Sequence, residues 1–426
     1  MSKKDTNSGG RKSKLSVEPY KGVRDFYPED QAFLNYLIST CRVVAQRFGY
    51  VEYHASILEP AEMYKAKAAE NEEIIHEQTY TFVDRGGREV TLRPEMTPSV
   101  ARMVAAKRRE LGYPLRLFSI PNLFRYERPQ RGRLREHWQL NVDLFGSTKS
   151  AADAEIILVA SELLKAFGAT GEDFVIKVGS RAFLNSLMDE FALSDEARNS
   201  FLYLLDRRAK MPKEEFEAAL AEFAVPIEKL SADEVPNDVA EVLEYLEAAG
   251  VGNARFDTSI VRGFSYYTGV VFEVFDLHPE NNRSLFGGGR YDNLLELFDD
   301  EAVTGVGFGM GDVTIRDFLA VRDLLPKYLP PTHVYLAVTT QELGAKALEL
   351  AAQLRASNVN VAVDFGDKKL ADQIKTAAKH KIPYLIVVGE DEAASGNYQV
   401  RDLLTGEEKT VTSDEMPAFF IERPYS

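Results

Sequence analysis

The chain has 426 residues, and two or three domains are expected because a single core rarely grows beyond roughly 250–300 residues. Its hydrophobic fraction of 45% and charged fraction of 27% are typical of a soluble globular protein, and no apolar run is long enough to span a bilayer. The single cysteine, Cys41, excludes a disulfide framework and a thiolate zinc site, and the six histidines show no ligand spacing.

The formal net charge of −15 argues mildly against a nucleic-acid partner, although basic patches can exist on an acidic protein. Residues 1–17 are basic and lack a hydrophobic stretch, so they predict a flexible tail rather than a secretory signal. From these features we expect a cytoplasmic protein with no membrane partner.

Apolar spacing predicts the first elements in chain order. A helix over 28–48 ends at Gly49, and a strand follows over 50–60. Residues 80–94 read as a hairpin, because two β-rich runs flank an Asp-Arg-Gly-Gly turn. Two further helices are predicted over 98–111 and 150–168, the second with Ser150 as its N-cap and Gly168 as its stop.

Residues 124–146 predict a second hairpin, with a tip rich in arginine. The break Pro-Gln-Arg-Gly at 129–132 separates two strand-like runs that carry Arg125, Arg128, Arg131, Arg133 and Arg135. Guanidinium groups bind phosphate oxygens through two hydrogen bonds and keep their charge. A solvated basic loop is the alternative, but residues 139, 141 and 143 follow on one strand face as Gln, Asn and Asp. This combination favours a polar site.

The rest of the chain alternates between helical and strand-like segments. Residues 181–250 are helical and charged and predict a helical insertion, after which strands resume at 254–276 and 283–290. The glycine-rich segments FGGGRYDNL and GVGFGMGD predict turns that lead to a helix at about 312–323. A linker at 328–331 precedes alternating strands and helices over 332–426, which predict a parallel or mixed α/β domain. That domain lacks a glycine-rich phosphate loop, and a generic flavodoxin-like module is the alternative.

Three segments, in the expected order, resemble class II aminoacyl-tRNA synthetases, and their sequences are similar to those of the histidine-specific members. FRYERPQRGRLREHWQLNVDLFG resembles motif 2, TLRPEMTPSVAR the amino-acid site, and IVRGFSYYTGVVFE the signature of histidine enzymes. The resemblance implies an α+β catalytic domain over 18–327, built on an antiparallel sheet with a helical insertion at about 181–250. It also implies a smaller α/β anticodon-binding domain over 332–426, and a homodimer.

The implied reaction joins L-histidine to ATP, with Mg²⁺, and passes the histidine to the 3′ end of tRNA(His). By resemblance, Arg125 bridges the α-phosphate and the histidine carboxylate, while Arg262 lies opposite it. Glu127 lies near the adenine and Arg133 reaches other phosphates or faces the tRNA, with Arg135 a second candidate for the phosphates. Gln130 and Arg131 approach the acceptor stem.

The resemblance also implies a pocket for a neutral imidazole, which offers one hydrogen-bond donor and one acceptor. Asp143 accepts from one ring nitrogen, Tyr267 donates to the other, and Tyr266 lines the wall. The α-amino group and the carboxylate of histidine would be held by Glu95, Thr97 and Gln139, together with Arg125 and Arg262.

The chain departs from the family pattern at three positions: Ser56 replaces a proline, Ser265 an aspartate, and Thr314 the arginine of motif 3. Arg316, two residues further on, would point to a different helix face. The alternative function is that of a non-catalytic paralogue that senses histidine and regulates ATP phosphoribosyltransferase. Arg125, Arg262, Glu95 and the C-terminal domain favour the enzyme, whereas Thr314 favours the paralogue.

Overall fold

The computed structural model describes residues 15–65, 78–208, 211–230, 235–262, 266–298, 301–366 and 368–422. The chain divides into two compact units, Met1–Pro326 and Lys327–Ser426. Most of the tail predicted at 1–17 lies outside the described residues. Among the described helices, none has both the length and the apolar character needed to cross a membrane.

A large sheet forms the centre of the first unit, with strand order β1-β5-β7-β12-β11-β10-β8-β9 and with β6 paired to β7. Neighbouring strands are antiparallel except at the two edges, where β1 joins β5 and β8 joins β9 in parallel. This agrees with the antiparallel sheet expected from the sequence. The strands are β1 (Val51–Glu52), β5 (Leu115–Ser119), β6 (Asn122–Phe124), β7 (Glu136–Phe145), β8 (Phe174–Ser180), β9 (Ala254–Phe256), β10 (Val270–Asp276), β11 (Ser284–Arg290) and β12 (Gly305–Gly311).

A second, three-stranded sheet has the order β2-β4-β3. Its strands are β2 (Leu58–Pro60), β3 (Tyr80–Val83) and β4 (Glu89–Leu92), and the last two form the hairpin predicted at 80–94. The single strand predicted over 50–60 is instead divided into β1 and β2. Between them Ser56 turns the chain, because its hydroxyl accepts a hydrogen bond from the Leu58 amide at 3.2 Å.

Helices cover one face of the large sheet. The described α-helices of the first unit are α1 (Pro28–Arg47), α2 (Ala61–Lys65), α3 (Thr97–Lys107), α4 (Ser150–Ala166), α5 (Arg181–Glu190), α6 (Asp195–Arg207), α7 (Lys213–Ala221), α8 (Asn237–Ala248) and α9 (Asp312–Ala320). Apolar residues of α1, α4, α8 and α9 share one core with Leu140, Val142 and Leu144 of β7. Residues 139, 141 and 143 therefore face the opposite side of the sheet.

The helical stretch 181–250 belongs to two cores. Residues of α5, α6 and α7, with Phe201 and Phe216 among them, form a separate hydrophobic cluster. Helix α8 instead contributes Val239, Val242 and Leu246 to the main core. Only the part before about residue 231 has a core of its own, and we propose that this shorter part is the insertion.

Side-chain caps begin two of these helices but not α4. Ser180 accepts from the Phe183 amide at 3.0 Å at the start of α5, and Ser194 accepts from Ala197 at the start of α6. The predicted N-cap Ser150 is wrong, because Lys149 occupies that position without a side-chain cap. The Ser150 hydroxyl instead donates to Glu241 of α8 at 2.6 Å.

Of the two glycine-rich segments, the first completes the strand predicted over 283–290, which is confirmed as β11, whereas GVGFGMG is a strand rather than the predicted turn. Gly287, Gly288 and Gly289 lie within β11, and β12 is the alternating sequence GVGFGMG. Gly307 and Gly309 of β12 pair with Asp143 and Asn141 of β7. These glycines leave space for side chains of neighbouring strands to lie along the sheet surface, and this space is the physical reason for their presence in a strand.

The second unit is built on a five-stranded mixed sheet with the order β14-β13-β15-β16-β17. Its strands are β13 (Val334–Val338), β14 (Val361–Val363), β15 (Tyr384–Val388), β16 (Asn397–Asp402) and β17 (Glu408–Thr412). The first three are parallel, and β16 and β17 are antiparallel, which confirms the expected mixed α/β domain. Its helices are α10 (Gly344–Ala356), α11 (Leu370–Lys379), α12 (Glu390–Ser395) and α13 (Met416–Ile421).

Candidate active site

The arginine-rich hairpin has the predicted form. Strand β6 pairs with the start of β7, and the tip is a turn in which Gln130 and Arg133 exchange backbone hydrogen bonds of 3.0 and 2.9 Å. Arg135 has a structural role, because its guanidinium lies 4.1 Å from the ring of Tyr126 and donates to the Glu127 carbonyl at 3.1 Å. These contacts make Arg135 a poor candidate for a phosphate ligand.

Arg125 connects the hairpin to the loop before α3. Its Nε donates at 3.0 Å to the carbonyl of Pro94, which directly precedes Glu95 and lies three residues before Thr97, the first residue of α3. Among the described residues, no hydrogen-bond acceptor is recorded for the terminal nitrogens of Arg125. The Arg125 side chain is therefore held at the segment that leads through Glu95 into α3, as expected if Arg125 and Glu95 bind one amino acid.

A row of polar side chains lies on the sheet face opposite the main core. Gln139 donates through Nε2 to Asn141 at 2.6 Å, and Asp143 follows on the same face. A methyl group on Gly309 would overlap the Gln139 amide, and one on Gly307 would overlap the Asp143 carboxylate. The glycine strand β12 is thus the floor on which these side chains lie.

Replacing Gly309 by alanine tests this floor. The added methyl would also lie 2.9 Å from Gln139 Cδ, so we expect the Gln139 side chain to move while the strand persists. The KM for the amino acid should rise about 10-fold, as expected for loss of one hydrogen bond to a charged group. Michaelis constants and thermal unfolding would measure this. Gly252→Ala, where nothing lies within 4 Å of the added atom, is the control, and equal behaviour of the two variants would contradict the prediction.

Arg262 contacts β11, the strand that neighbours the glycine strand β12. Its guanidinium pairs with Glu273 of β10 at 3.0 Å, donates to the Gly287 carbonyl at 3.2 Å and lies 5.9 Å from the ring centre of Tyr267. Burial by itself lowers the pKa of Arg262, but Tyr267 and Glu273 beside it bring the pKa above its usual value. Its Nε is buried without a hydrogen-bond partner in the described structure. The cation is therefore fixed and retains a donor.

Asp143 is a buried carboxylate with one unused oxygen. The Tyr291 hydroxyl donates to Oδ1, whereas Oδ2 is buried and has no hydrogen-bond partner among the described residues. Burial raises the pKa of Asp143 to about 7, although the bond from Tyr291 acts in the opposite direction. An unpaired buried acceptor is costly, so this oxygen suits a ligand that donates a hydrogen bond.

Aromatic rings connect Asp143 with Arg262. The ring centres of Tyr266 and Tyr267 are 4.7 Å apart, and Tyr266 meets Tyr291 edge-on at 5.9 Å. Burial raises the pKa of Tyr266 well above its usual value, with further contributions from Tyr267 and the charge of Glu95. The structure thus gathers Glu95, Asp143, Arg262 and both predicted tyrosines into one site. Residues 263–265, including Ser265, lie outside the described part of the chain.

The hairpin borders a cavity of about 540 Å³ lined by Gln78, Tyr126, Glu127, Arg128, Gln130 and Arg133. Arg133 is 65% exposed and lies 3.6 Å from Glu127, so its charge is only loosely compensated. Arg131 is not among the lining residues, and its guanidinium lies 3.6 Å from Asp317 of α9. The two arginines of the tip therefore have different surroundings.

His137 is a candidate site residue that the sequence analysis missed. It precedes Gln139 by two residues on the same face of β7, and its Cδ2 is the nearest atom, at 3.9 Å, to a methyl built on Gly311. Burial and the charge of Arg125 lower the pKa of His137 to about 3, so its ring is uncharged at neutral pH. The alternation that identified Gln139 and Asp143 extends to His137 and was the available signal.

The two residues considered at the motif 3 position have other partners. The Thr314 hydroxyl donates to the carbonyls of Leu285 at 2.9 Å and Gly311 at 3.2 Å. Arg316 pairs with Asp30 at 2.8 Å and lies 5.5 Å from the ring of Phe33, so it faces α1, whereas Thr314 contacts β11, in agreement with the predicted difference in helix face. In the described parts of the chain, no group of three or more His, Cys, Asp or Glu side chains is arranged to hold a metal ion.

Comparisons with known proteins agree over both units. Residues 22–312 match a family model described as "Histidyl-tRNA synthetase", and residues 333–423 match one described as "Anticodon binding domain". A "Histidine--tRNA ligase" of Leptospira biflexa is 40% identical over 95% of this chain and 97% of its own length. One from Thermoplasma volcanium is 35% identical over 95% and 98%. The histidyl-tRNA synthetase structure from Nostoc sp. PCC 7120 aligns with a TM-score of 0.80 at 22% identity, covering 96% of this chain and all of that one.

Proposed function

The chain belongs to the histidyl-tRNA synthetase family, and from this premise we propose that it is an ATP-dependent histidine–tRNA ligase of the cytoplasm. It activates L-histidine as histidyl-adenylate and transfers the histidine to the 3′ end of tRNA(His). The single observation that carries this function is one site, in which Tyr266, Tyr267 and Tyr291 connect the guanidinium of Arg262 with the unpaired carboxylate oxygen of Asp143.

Activation brings two anions together, because the histidine carboxylate attacks the α-phosphate of ATP and pyrophosphate leaves. We assign Arg125 and Arg262 to the two sides of this reacting pair. Arg262 is fixed by Glu273 and Gly287, and Arg125 is held through Pro94, so neither has to reorganise when charge develops. Positioning and electrostatics of this kind can supply most of the rate enhancement in phosphoryl chemistry.

Histidine is recognised by its imidazole and its ammonium group. Asp143 Oδ2 accepts from one ring nitrogen, and Tyr267 donates to the other, with Tyr266 as the wall of the pocket. The ammonium group binds Glu95, with Thr97 and Gln139 completing the contacts to the amino acid. A neutral imidazole satisfies the buried acceptor of Asp143, whereas an apolar side chain of similar size would leave it unpaired.

ATP binds against the hairpin, with Glu127 near the base and Arg133 toward the phosphates. The 540 Å³ cavity beside Tyr126 and Glu127 supports this assignment. Mg²⁺ enters as the complex with ATP, since it usually retains waters and substrate phosphates as ligands. When bound, it would neutralise phosphate charge.

The remaining contacts involve tRNA and a second copy of the chain. Gln130 and Arg131 at the exposed hairpin tip would meet the acceptor stem, and the second unit would read the anticodon. Leu58, Phe82 and Val83 of the small sheet are between 44% and 68% exposed, which supports a homodimer that buries this apolar surface.

The regulatory paralogue is the second candidate function, and Thr314 is the observation in its favour. Arg125, Arg262 and the second unit favour the ligase.

ATP–pyrophosphate exchange by the purified protein, with Mg²⁺ and each of the twenty amino acids in turn, tests the function. We expect exchange with histidine alone, because only its side chain matches both Asp143 and Tyr267. Histidine binding without exchange for any amino acid would exclude the ligase and favour the regulatory paralogue.

A further inference from the structure

Arg283 lies between the hairpin tip and helix α9. Its Nη1 donates to the carbonyl of Arg131 at 3.3 Å, and its Nη2 forms an ion pair with Asp317. A methyl group on Gly132 would overlap its guanidinium, so the glycine in the turn permits this close approach. Arg283 directly precedes β11, and the amide of Asp276 donates to its carbonyl at 3.0 Å.

The charges at this position do not balance. Among the described residues, Asp317 is the one carboxylate paired with Arg283, and the same oxygen of Asp317 lies 3.6 Å from the guanidinium of Arg131. Two guanidinium groups therefore share one carboxylate, and one positive charge remains at the tip of the hairpin. In addition, the Nε of Arg283 is buried without a hydrogen-bond partner in the described residues. A fixed cation with a spare buried donor suits an anion.

The other arginines that contact α9 have a balanced charge. Arg24 pairs with Asp312 at 2.6 Å, and Arg316 pairs with Asp30 at 2.8 Å, so each has a carboxylate of its own. Arg322 lies between two carboxylates, Asp173 and Asp276. Among the described arginines that contact α9, Arg283 and Arg131 are those whose charge exceeds that of their partners.

Arg283 also lies next to Thr314. The Thr314 hydroxyl donates to the carbonyl of Leu285, two residues after Arg283, while Asp317, one helical turn beyond Thr314, holds the guanidinium. Arg283 therefore extends along the face of α9 that carries Thr314 and reaches the hairpin. Arg283 thus places a positive charge at the face of α9 where Thr314, a short uncharged side chain, provides none.

We propose that Arg283 binds the terminal phosphates of ATP. The inference depends on the proposed ligase function, which places ATP against the hairpin. Arg125 and Arg262 are assigned to the α-phosphate, whereas most of the negative charge of ATP lies on the β- and γ-phosphates. Arg283, whose charge Asp317 compensates only in part, meets that charge and donates to a phosphate oxygen in exchange for part of its contact with Asp317.

Equilibrium binding of ATP and of AMP to the full-length protein tests the proposal, because AMP lacks the two terminal phosphates. Arg283→Ala should weaken ATP binding about 10- to 100-fold, as expected for loss of a charge-assisted hydrogen bond, and leave AMP binding unchanged. In pyrophosphate exchange, the KM for ATP should rise by the same factor at an unchanged KM for histidine. Arg316→Ala, which removes an arginine with its own carboxylate from the same helix, is the matched control and should leave both nucleotides unaffected.

Arg283→Gln is a second variant that retains donors for Asp317 and the Arg131 carbonyl but carries no charge, and it should show the same selective loss of ATP affinity. Unchanged ATP binding in these variants, or equal loss of ATP and AMP binding, overturns the proposal. Equal loss would mean that Arg283 only supports the hairpin. Failure of the wild-type protein to bind ATP or to exchange pyrophosphate would instead contradict the proposed ligase function.

Discussion

Replacement of Arg262 by alanine is expected to lower histidine-dependent pyrophosphate exchange by about 10³-fold, the usual loss when a preorganised donor to developing charge is removed. Arg262 is held by Glu273, by the Gly287 carbonyl and by the ring of Tyr267 before any substrate arrives. Its charge therefore acts on the reacting phosphate without further reorganisation. The loss should appear mainly in kcat, measured at saturating ATP and histidine.

Removal of Arg262 also leaves Glu273 without its cation, and a half-buried carboxylate without a partner could unfold the site. The double variant Arg262→Ala/Glu273→Gln removes this charge and should be as inactive as the single variant while unfolding near the wild-type temperature. Arg262→Lys keeps a charge but lacks the planar fork, and an intermediate rate is expected. Recovery of activity in the double variant would show that Arg262 acts only by neutralising Glu273.

The hairpin and its polar row could be predicted because their signals are local. A turn at 129–132 between two β-rich runs sets the pairing, and alternation along a strand then places Gln139 and Asp143 on one face. The same rule applied two residues earlier would have identified His137. The roles of Arg125 and Arg262 are implied by the resemblance and remain predictions, and the Arg262 variants test the second of them.

The glycine strand β12 was mispredicted because its cause lies in another strand. In isolation, GVGFGMG is typical of a turn. In the folded protein Gly307 and Gly309 pair with polar positions of β7 and leave space for Gln139 and Asp143, which no local pattern of β12 reveals. Arg283 was missed for the same reason, since its contact with Arg131 joins residues 152 positions apart.

The buried carboxylate of Asp143 suits recognition of an imidazole but lowers the free energy of unfolding. Its pKa moves from 3.8 to about 7 on folding because burial disfavours the carboxylate. Between these two values the folded protein binds more protons than the unfolded chain, so stability falls as the pH rises through this range. A shift of this size corresponds to about 4 kcal/mol. The protein retains this unfavourable group at the position where an imidazole N–H would compensate it.

Asp143→Asn is therefore expected to separate binding from stability. The amide oxygen can still accept from Tyr291, but the amide nitrogen takes the place of the free acceptor and opposes the imidazole N–H. The KM for histidine should rise about 100-fold or more, with little change for ATP, because a buried hydrogen bond is replaced by two facing donors. Since asparagine does not titrate, denaturant unfolding at pH 5 and pH 8 should show a smaller loss of stability at high pH than in the wild type.

An unchanged KM for histidine would remove Asp143 from the pocket, and parallel pH profiles would mean that the carboxylate is not destabilised by burial. Weaker histidine binding in a protein that is more stable at pH 8 cannot result from unfolding, so that outcome would assign the loss to recognition of the imidazole.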